Sequence, residues 1–261
     1  MTASELLETG KLQGAIDAQV REVKSDPADA AKRLFLFELL AFAGDLDRAR
    51  RQMDAIHYDE LELEAARMAY RNLLDAEQAR RRVMQEGIAP QFFGEVPAHG
   101  HLRLQALNRL RDGVPAEAAS LLNQADAVQQ QTKGEINDKP FDTFRDCDDV
   151  FSGILEVMAH GNYYWVPFEQ IDTLTMNPPR YPRDLLWIPA RLALRDGPTG
   201  DVFLPALYPG SHEHAEDAVR LGRKTDWKPI EGGPVLGKGL HTYLAGDDDY
   251  GLLDCRSLRF I

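Results

Sequence analysis

The stretch Leu40-Ala41-Phe42-Ala43-Gly44-Asp45-Leu46-Asp47-Arg48-Ala49 sets how the first half of the chain folds. A helical run meets a glycine, and an alanine stands five residues after the glycine. The same grammar occurs at Leu6-Leu7-Glu8-Thr9-Gly10 with Ala15, and at Leu110-Arg111-Asp112-Gly113 with Ala118. Gly10 and Gly44 are 34 residues apart, and Gly113 lies 69 beyond, close to twice that period. Glycine permits the turn between paired helices, and the small alanine lets them approach. The spacing predicts tetratricopeptide-like helical hairpins, with an unrelated helical bundle as the plainer alternative. Between the repeats, Glu60–Met84 lacks the glycine and reads as one longer helix with Leu61, Ala65, Met68, Leu73 and Val83 among its apolar positions.

Alanine and proline divide the chain. Residues 1–139 hold 23 Ala and 4 Pro, and residues 140–261 hold 7 Ala and 11 Pro, with Trp165, Trp187 and Trp227 all in the second part. Alanine is the best helix former, whereas proline inside a helix loses a hydrogen bond and clashes. The expected fold is therefore α+β: helical hairpins over 1–139 packed on a mainly antiparallel β domain over 140–261. Polar Thr132–Pro140 is the expected seam. In the second half, short apolar runs end at turn signals: Ile154–Met158, Tyr163–Val166, Ile171–Thr175, Leu185–Leu194 and Val202–Leu204. Connections this short cannot hold crossover helices. Glu213–Leu221 reads as a helix and Leu252–Phe260 as a closing strand. Pro167, Pro189 and Pro205 suit edges or bulges.

Composition bounds the function. Hydrophobic residues make up 44% of the 261 and charged residues 28%, enough for a sizeable core. The formal charge of -12 is spread over both halves and argues against nucleic-acid binding, which depends on cations at phosphates. No apolar run approaches a membrane span, and Met1–Glu5 shows no secretory pattern, so a cytoplasmic protein is expected. Cys147 and Cys255 form neither a disulfide framework nor a zinc motif; inert thiols are expected.

Chemistry-bearing patterns are weak. His212 and His214, with Glu213 and Glu216, could supply metal ligands, but positions i and i+2 on a helix diverge. A solvated helix start is the better reading, and His99-x-His101 reads the same way. Asp247-Asp248-Asp249 lacks the spacing of a calcium loop. Gly232–Gly239 lacks the Gly-Lys-Ser/Thr order of a phosphate loop and reads as a plain loop. No catalytic set, metal site or cofactor is expected. Tyr163-Tyr164-Trp165-Val166-Pro167-Phe168 concentrates aromatic surface, its alternation sending Tyr163 and Trp165 to one face and Tyr164, Val166 and Phe168 to the other. Tyr163, Tyr164, Trp165, Phe168 and Trp187 are the candidate partner-binding residues, since Tyr and Trp are enriched at interface hot spots. Cover by the helical half is the competing reading.

Four ordered motifs follow: Asn162–Phe168, Arg183-Asp184-Leu185-Leu186-Trp187-Ile188-Pro189-Ala190, Leu204–Ser211 and Leu221-Gly222-Arg223-Lys224-Thr225-Asp226-Trp227, closed by Leu252–Phe260. With Leu6–Leu12 and Phe35–Ala49, they closely resemble the ImpE family, also called SciE or TagJ, accessory components of bacterial type VI secretion systems. The resemblance implies a non-enzymatic adaptor in the cytoplasm that binds the N-terminal helix of the sheath small subunit, TssB, and influences sheath recycling by the ClpV ATPase. It carries no catalytic residue onto this chain. Cys255 stands where an aliphatic residue is expected, implying a core thiol. The competing function is a metal-dependent or hydrolytic enzyme in the β domain, using His212, His214 and nearby carboxylates.

Overall fold

The computed structural model describes residues 1–261. Seven helices come first: α1 (Ala3–Glu8), α2 (Leu12–Ser25), α3 (Ala30–Phe42), α4 (Leu46–Asp54), α5 (Leu61–Glu86), α6 (Ala98–Arg111) and α7 (Pro115–Val128). Three antiparallel hairpins, α1–α2, α3–α4 and α6–α7, turn at Gly10, Gly44 and Gly113, whose φ angles are 75°, 75° and 72°. That left-handed backbone is where glycine is needed. Ala15, Ala49 and Ala118 are wholly buried at the helix crossings, as the spacing requires. Asp29 and Asp45 cap α3 and α4 through their side chains, and Thr2 and Glu5 form a capping box on α1. The unbroken segment between the repeats is α5, one helix of 26 residues. No helix is long and apolar enough to cross a membrane.

The strands are β1 (Gly134–Ile136), β2 (Lys139–Phe141), β3 (Phe144–Asp146), β4 (Ile154–Ala159), β5 (Asn162–Pro167), β6 (Ile171–Met176), β7 (Trp187–Leu194) and β8 (Thr199–Pro205). After the short helix α8 (Asp217–Arg220) come β9 (Asp226–Pro229), β10 (Val235–Lys238), β11 (Thr242–Ala245), β12 (Asp248–Gly251) and β13 (Ser257–Phe260). An eight-stranded sheet has the order β2-β1-β13-β6-β7-β8-β4-β5; β12-β11-β3 and β10-β9 form smaller sheets. Every ladder is antiparallel. The fold is thus α+β, with helical hairpins followed by a mainly antiparallel β part.

Four local expectations change. The polar stretch read as a seam is a β-hairpin, β1–β2, turned by Asn137 and Asp138 at φ 49° and 64°. Asn and Asp tolerate this left-handed geometry through local hydrogen bonding. Glycines 232 and 233 belong to the β9–β10 hairpin rather than to a free loop. The expected Glu213–Leu221 helix shrinks to a 3-10 turn at Ser211–Glu213 and the single turn of α8. Pro189 lies in β7, a central strand, not at an edge. Its carbonyl accepts from the Asn177 amide just past the end of β6, so its missing N–H falls where the neighbouring strand has stopped.

The large sheet separates two apolar clusters. One joins the helices to Ile154, Met158, Tyr163, Trp165, Trp187 and Tyr208 on the sheet's helix-facing side. The other lies on the opposite face, among Leu155, Val157, Val166, Phe168, Phe144 and Phe260. The helical and β parts therefore share a continuous core. Backbone joins them too: Gln91, just after α5, donates to the Tyr163 carbonyl and accepts from the Trp165 amide, covering the exposed edge of β5.

Candidate functional site

The aromatic strand β5 alternates as its sequence dictates. Tyr163 and Trp165 point into the helical cluster and are buried; Val166 and Phe168 point the other way and are buried in the sheet cluster. Trp187 is also interior, stacked on Phe37 of α3 at 6.2 Å between ring centres. Of the five candidate partner residues only Tyr164 keeps part of its surface exposed, and its ring stacks on Phe93 at 4.2 Å and 4°. The helices cover one face of this segment and the sheet cluster the other, so Tyr163, Trp165 and Phe168, with Trp187, serve packing.

What Tyr163 and Trp165 reach inside is a buried polar chain that no sequence pattern announced. Trp165 Nε1 donates to the Tyr163 hydroxyl at 2.7 Å, and that hydroxyl donates to Glu156 of β4. Glu156 receives two hydrogen bonds from Arg80 of α5, at 2.7 and 2.6 Å, while Arg80 also donates to the Leu207 carbonyl at 2.8 Å. His241 stands between two carboxylates, its Nδ1 at 2.8 Å from Asp146 and its Nε2 at 2.9 Å from Glu156. Tyr208 donates to the other oxygen of Asp146 at 2.5 Å. Burial opposes charge on His241, but the two carboxylates outweigh it and raise its pKa to about 9. Burial likewise opposes the Glu156 anion, yet Arg80 and His241 hold it down to about 2. The arrangement is a fully partnered ionic chain between helix and sheet. Each polar atom of the imidazole is occupied, so it has no free nitrogen for proton transfer to a substrate.

Above this chain opens a cleft of about 230 Å³ between α5 and α6 on one side and the β part on the other. Arg80, Arg81, Asp148, His212, Glu213 and Lys238 contribute its polar lining; Met84, Leu107, Leu110 and Leu236 continue into a neighbouring open groove of about 490 Å³ that reaches Pro115 and Ile230. Burial and the nearby Asp146 raise the Asp148 carboxyl to about 7. Its oxygens nevertheless accept from the backbone amides of Val150, Phe151 and Gly237, which makes it a turn-building residue. Its apolar residues shared with the neighbouring groove and its charged end can take a row of peptide side chains.

The histidine pairs separate in space. His212 packs against Gly44, where a Cβ would collide with its ring, and burial with the nearby Arg81 lowers its pKa to about 4. His214 pairs with Asp226 at 3.2 Å. His99, expected at a solvated helix start, is buried, with Nε2 2.6 Å from Glu169, because α6 packs its first turn onto the sheet connection. Both thiols are free; burial pushes Cys147 to about 11 and Cys255 to about 12, so neither is a thiolate near neutrality. Cys255 lies in the sheet core beside aliphatic residues.

A family model described as ImpE protein matches residues 138–259. The chain is 36% identical to the type VI secretion system accessory component TagJ of Pseudomonas aeruginosa over 262 residues, covering 100% of this chain and 91% of that protein. A crystal structure of protein VPA1032 from Vibrio parahaemolyticus superposes with a TM-score of 0.90 at 27% identity, over 99% of this chain and 97% of that one. On that full-length match to TagJ the chain belongs to the ImpE/TagJ family.

Proposed function

We propose that this chain is a non-enzymatic accessory protein of a type VI secretion system, acting in the cytoplasm as an adaptor. It binds the N-terminal helix of the sheath small subunit TssB and thereby modulates ClpV-dependent recycling of the sheath. Residues 1–139 carry its helical unit and 140–261 its β unit, with β1 and the start of β2, which precede residue 140, added to the sheet, and the groove between the units is the docking surface. The full-length similarity to a protein named TagJ carries the reading. The cleft supports it: Met84, Leu107, Leu110, Leu236 and Ile230 form a continuous apolar floor on which an i, i+3, i+4, i+7 stripe can lie.

The test is calorimetric titration of the full chain with the N-terminal peptide of the cognate TssB, beside a scrambled peptide. Ordering a free peptide into a helix opposes binding, so a Kd around micromolar, about 8 kcal/mol, is expected. Leu110→Asp, which places a charge on the partly exposed groove floor, should weaken binding at least tenfold while leaving the α-helical signal unchanged. No preference for the native peptide at high micromolar concentration defeats the adaptor reading.

A further inference from the structure

Charges around the cleft are unequally satisfied. Arg80 is consumed by Glu156 and the Leu207 carbonyl. Glu77 lies 3.6 Å from both Arg80 and Arg81. Glu213 lies 3.7 Å from His212, which is uncharged near neutrality, and acts on Lys238 from beyond ion-pair distance, as Asp148 does. Asp148 is saturated by backbone amides. Lys238 differs: its ammonium donates to the Pro209 carbonyl at 2.5 Å and has no carboxylate within 4.0 Å. Gly210 makes this placement possible, since a Cβ there would lie 2.5 Å from Nζ. Beside it, Arg81 donates to the Gly44 carbonyl at 2.9 Å, while its buried Nε hydrogen-bonds to nothing.

We infer that the cleft receives a carboxylate side chain of the docking helix, with Lys238 as the cation that takes it and Arg81 beside it. The inference rests on the adaptor reading and adds the chemistry of the anchor. A half-buried ammonium with one protein acceptor has given up water without full replacement, and burial accordingly pulls the Lys238 pKa down. An incoming carboxylate supplies the missing acceptor in a place shielded from solvent, where an ion pair counts for more than at the surface. The apolar floor starts next to Lys238, at Leu236 and Met84. The partner segment should therefore carry an Asp or Glu adjoining its apolar stripe.

Two measurements on the full chain separate this inference from the reading it rests on. In the first, the TssB N-terminal peptide and variants with each Asp→Asn or Glu→Gln in turn are titrated into wild-type, Lys238→Met and Lys238→Arg protein. One neutralised peptide should bind wild type at least tenfold more weakly. That peptide should lose no more than twofold relative to the native peptide on Lys238→Met, and Lys238→Arg should retain most of the native affinity. Neutralised peptides that all bind within twofold of the native one overturn the inference and leave the adaptor reading standing. In the second, trace acetylation of Lys238 is followed by mass spectrometry with sodium octanoate or 1-octanol present. Octanoate should slow labelling of Lys238 severalfold and octanol should not. Equal labelling with both overturns the carboxylate site whatever the peptide does. Protection by octanoate without peptide binding overturns the helix as occupant and assigns the cleft to a free carboxylic acid.

Discussion

Arg80 of α5 grips Glu156 of β4 through paired hydrogen bonds of 2.7 and 2.6 Å, with both side chains almost wholly inside the protein. These residues lie 76 positions apart, and their contact fastens the longest helix to the sheet. Removing one partner from such a pair leaves an uncompensated buried charge, which costs far more than the pair itself contributes. Arg80→Met should destabilise by about 3–5 kcal/mol in urea unfolding. The double variant Arg80→Met, Glu156→Gln should recover part of that loss, because no buried carboxylate is left without its guanidinium. A double variant as unstable as the sum of the two singles would show that the pair does not act as a unit.

His241 makes stability depend on pH. Its pKa is raised to about 9 in the folded chain, so its contribution is fully present below the ordinary histidine value and is lost as pH rises through about 9. A shift of this size corresponds to about 3 kcal/mol. Thermal melts from pH 6.5 to 9 should show a falling Tm in wild type and a flatter profile in His241→Gln. Identical slopes would remove His241 as the cause.

Two glycines that look equivalent in sequence should respond differently to alanine. Gly113→Ala meets open space and carries only the left-handed backbone penalty, about 1 kcal/mol. Gly44→Ala adds a collision with the His212 ring and should lose clearly more. Thermal melts of the two variants side by side give the comparison.

Trp165 is wholly buried and Tyr164 only partly so. Trp165→Ala should therefore cost about 3–5 kcal/mol by chemical unfolding. Tyr164→Ala should cost less, losing its stack on Phe93 and a partial packing against the sheet cluster. A Trp165→Ala change within about 0.5 kcal/mol would mark an exposed position instead.

The helical and β parts should stay together when the chain between them is cut. A protease site inserted at Gln130-Gln131, ahead of β1, tests this by sizing chromatography. The shared core, the Gln91 backbone bonds to β5 and the Arg80–Glu156 pair all cross that point. Co-elution of the fragments is expected; free separation would contradict it.

The hairpins were legible in the sequence because their causes are local. Gly10, Gly44 and Gly113 sit where a turn needs positive φ, and Ala15, Ala49 and Ala118 sit where two helices touch. The strands from Ile154 to Pro205 were legible for the same reason, being short apolar runs bounded by turn residues. The alternation of Tyr163 to Phe168 also assigned faces correctly, because side-chain direction in a strand has period two. Only the tertiary structure decided what those faces meet. Helix α2 has no side-chain cap of its own at Lys11; Asp217 caps it by accepting from the Leu12 amide at 2.9 Å, from 205 residues away. The carbonyls of Leu7 and Glu8 at the end of α1 are likewise taken by Arg223. His241 stands in the sequence as an isolated histidine between Leu240 and Thr242, with no partner at motif spacing. Periodicity and turn chemistry act within a few residues, whereas charges buried at a junction are paired by which elements the core brings together. The elements were therefore written in the sequence, and the cleft with the ionic chain beneath it came from their packing.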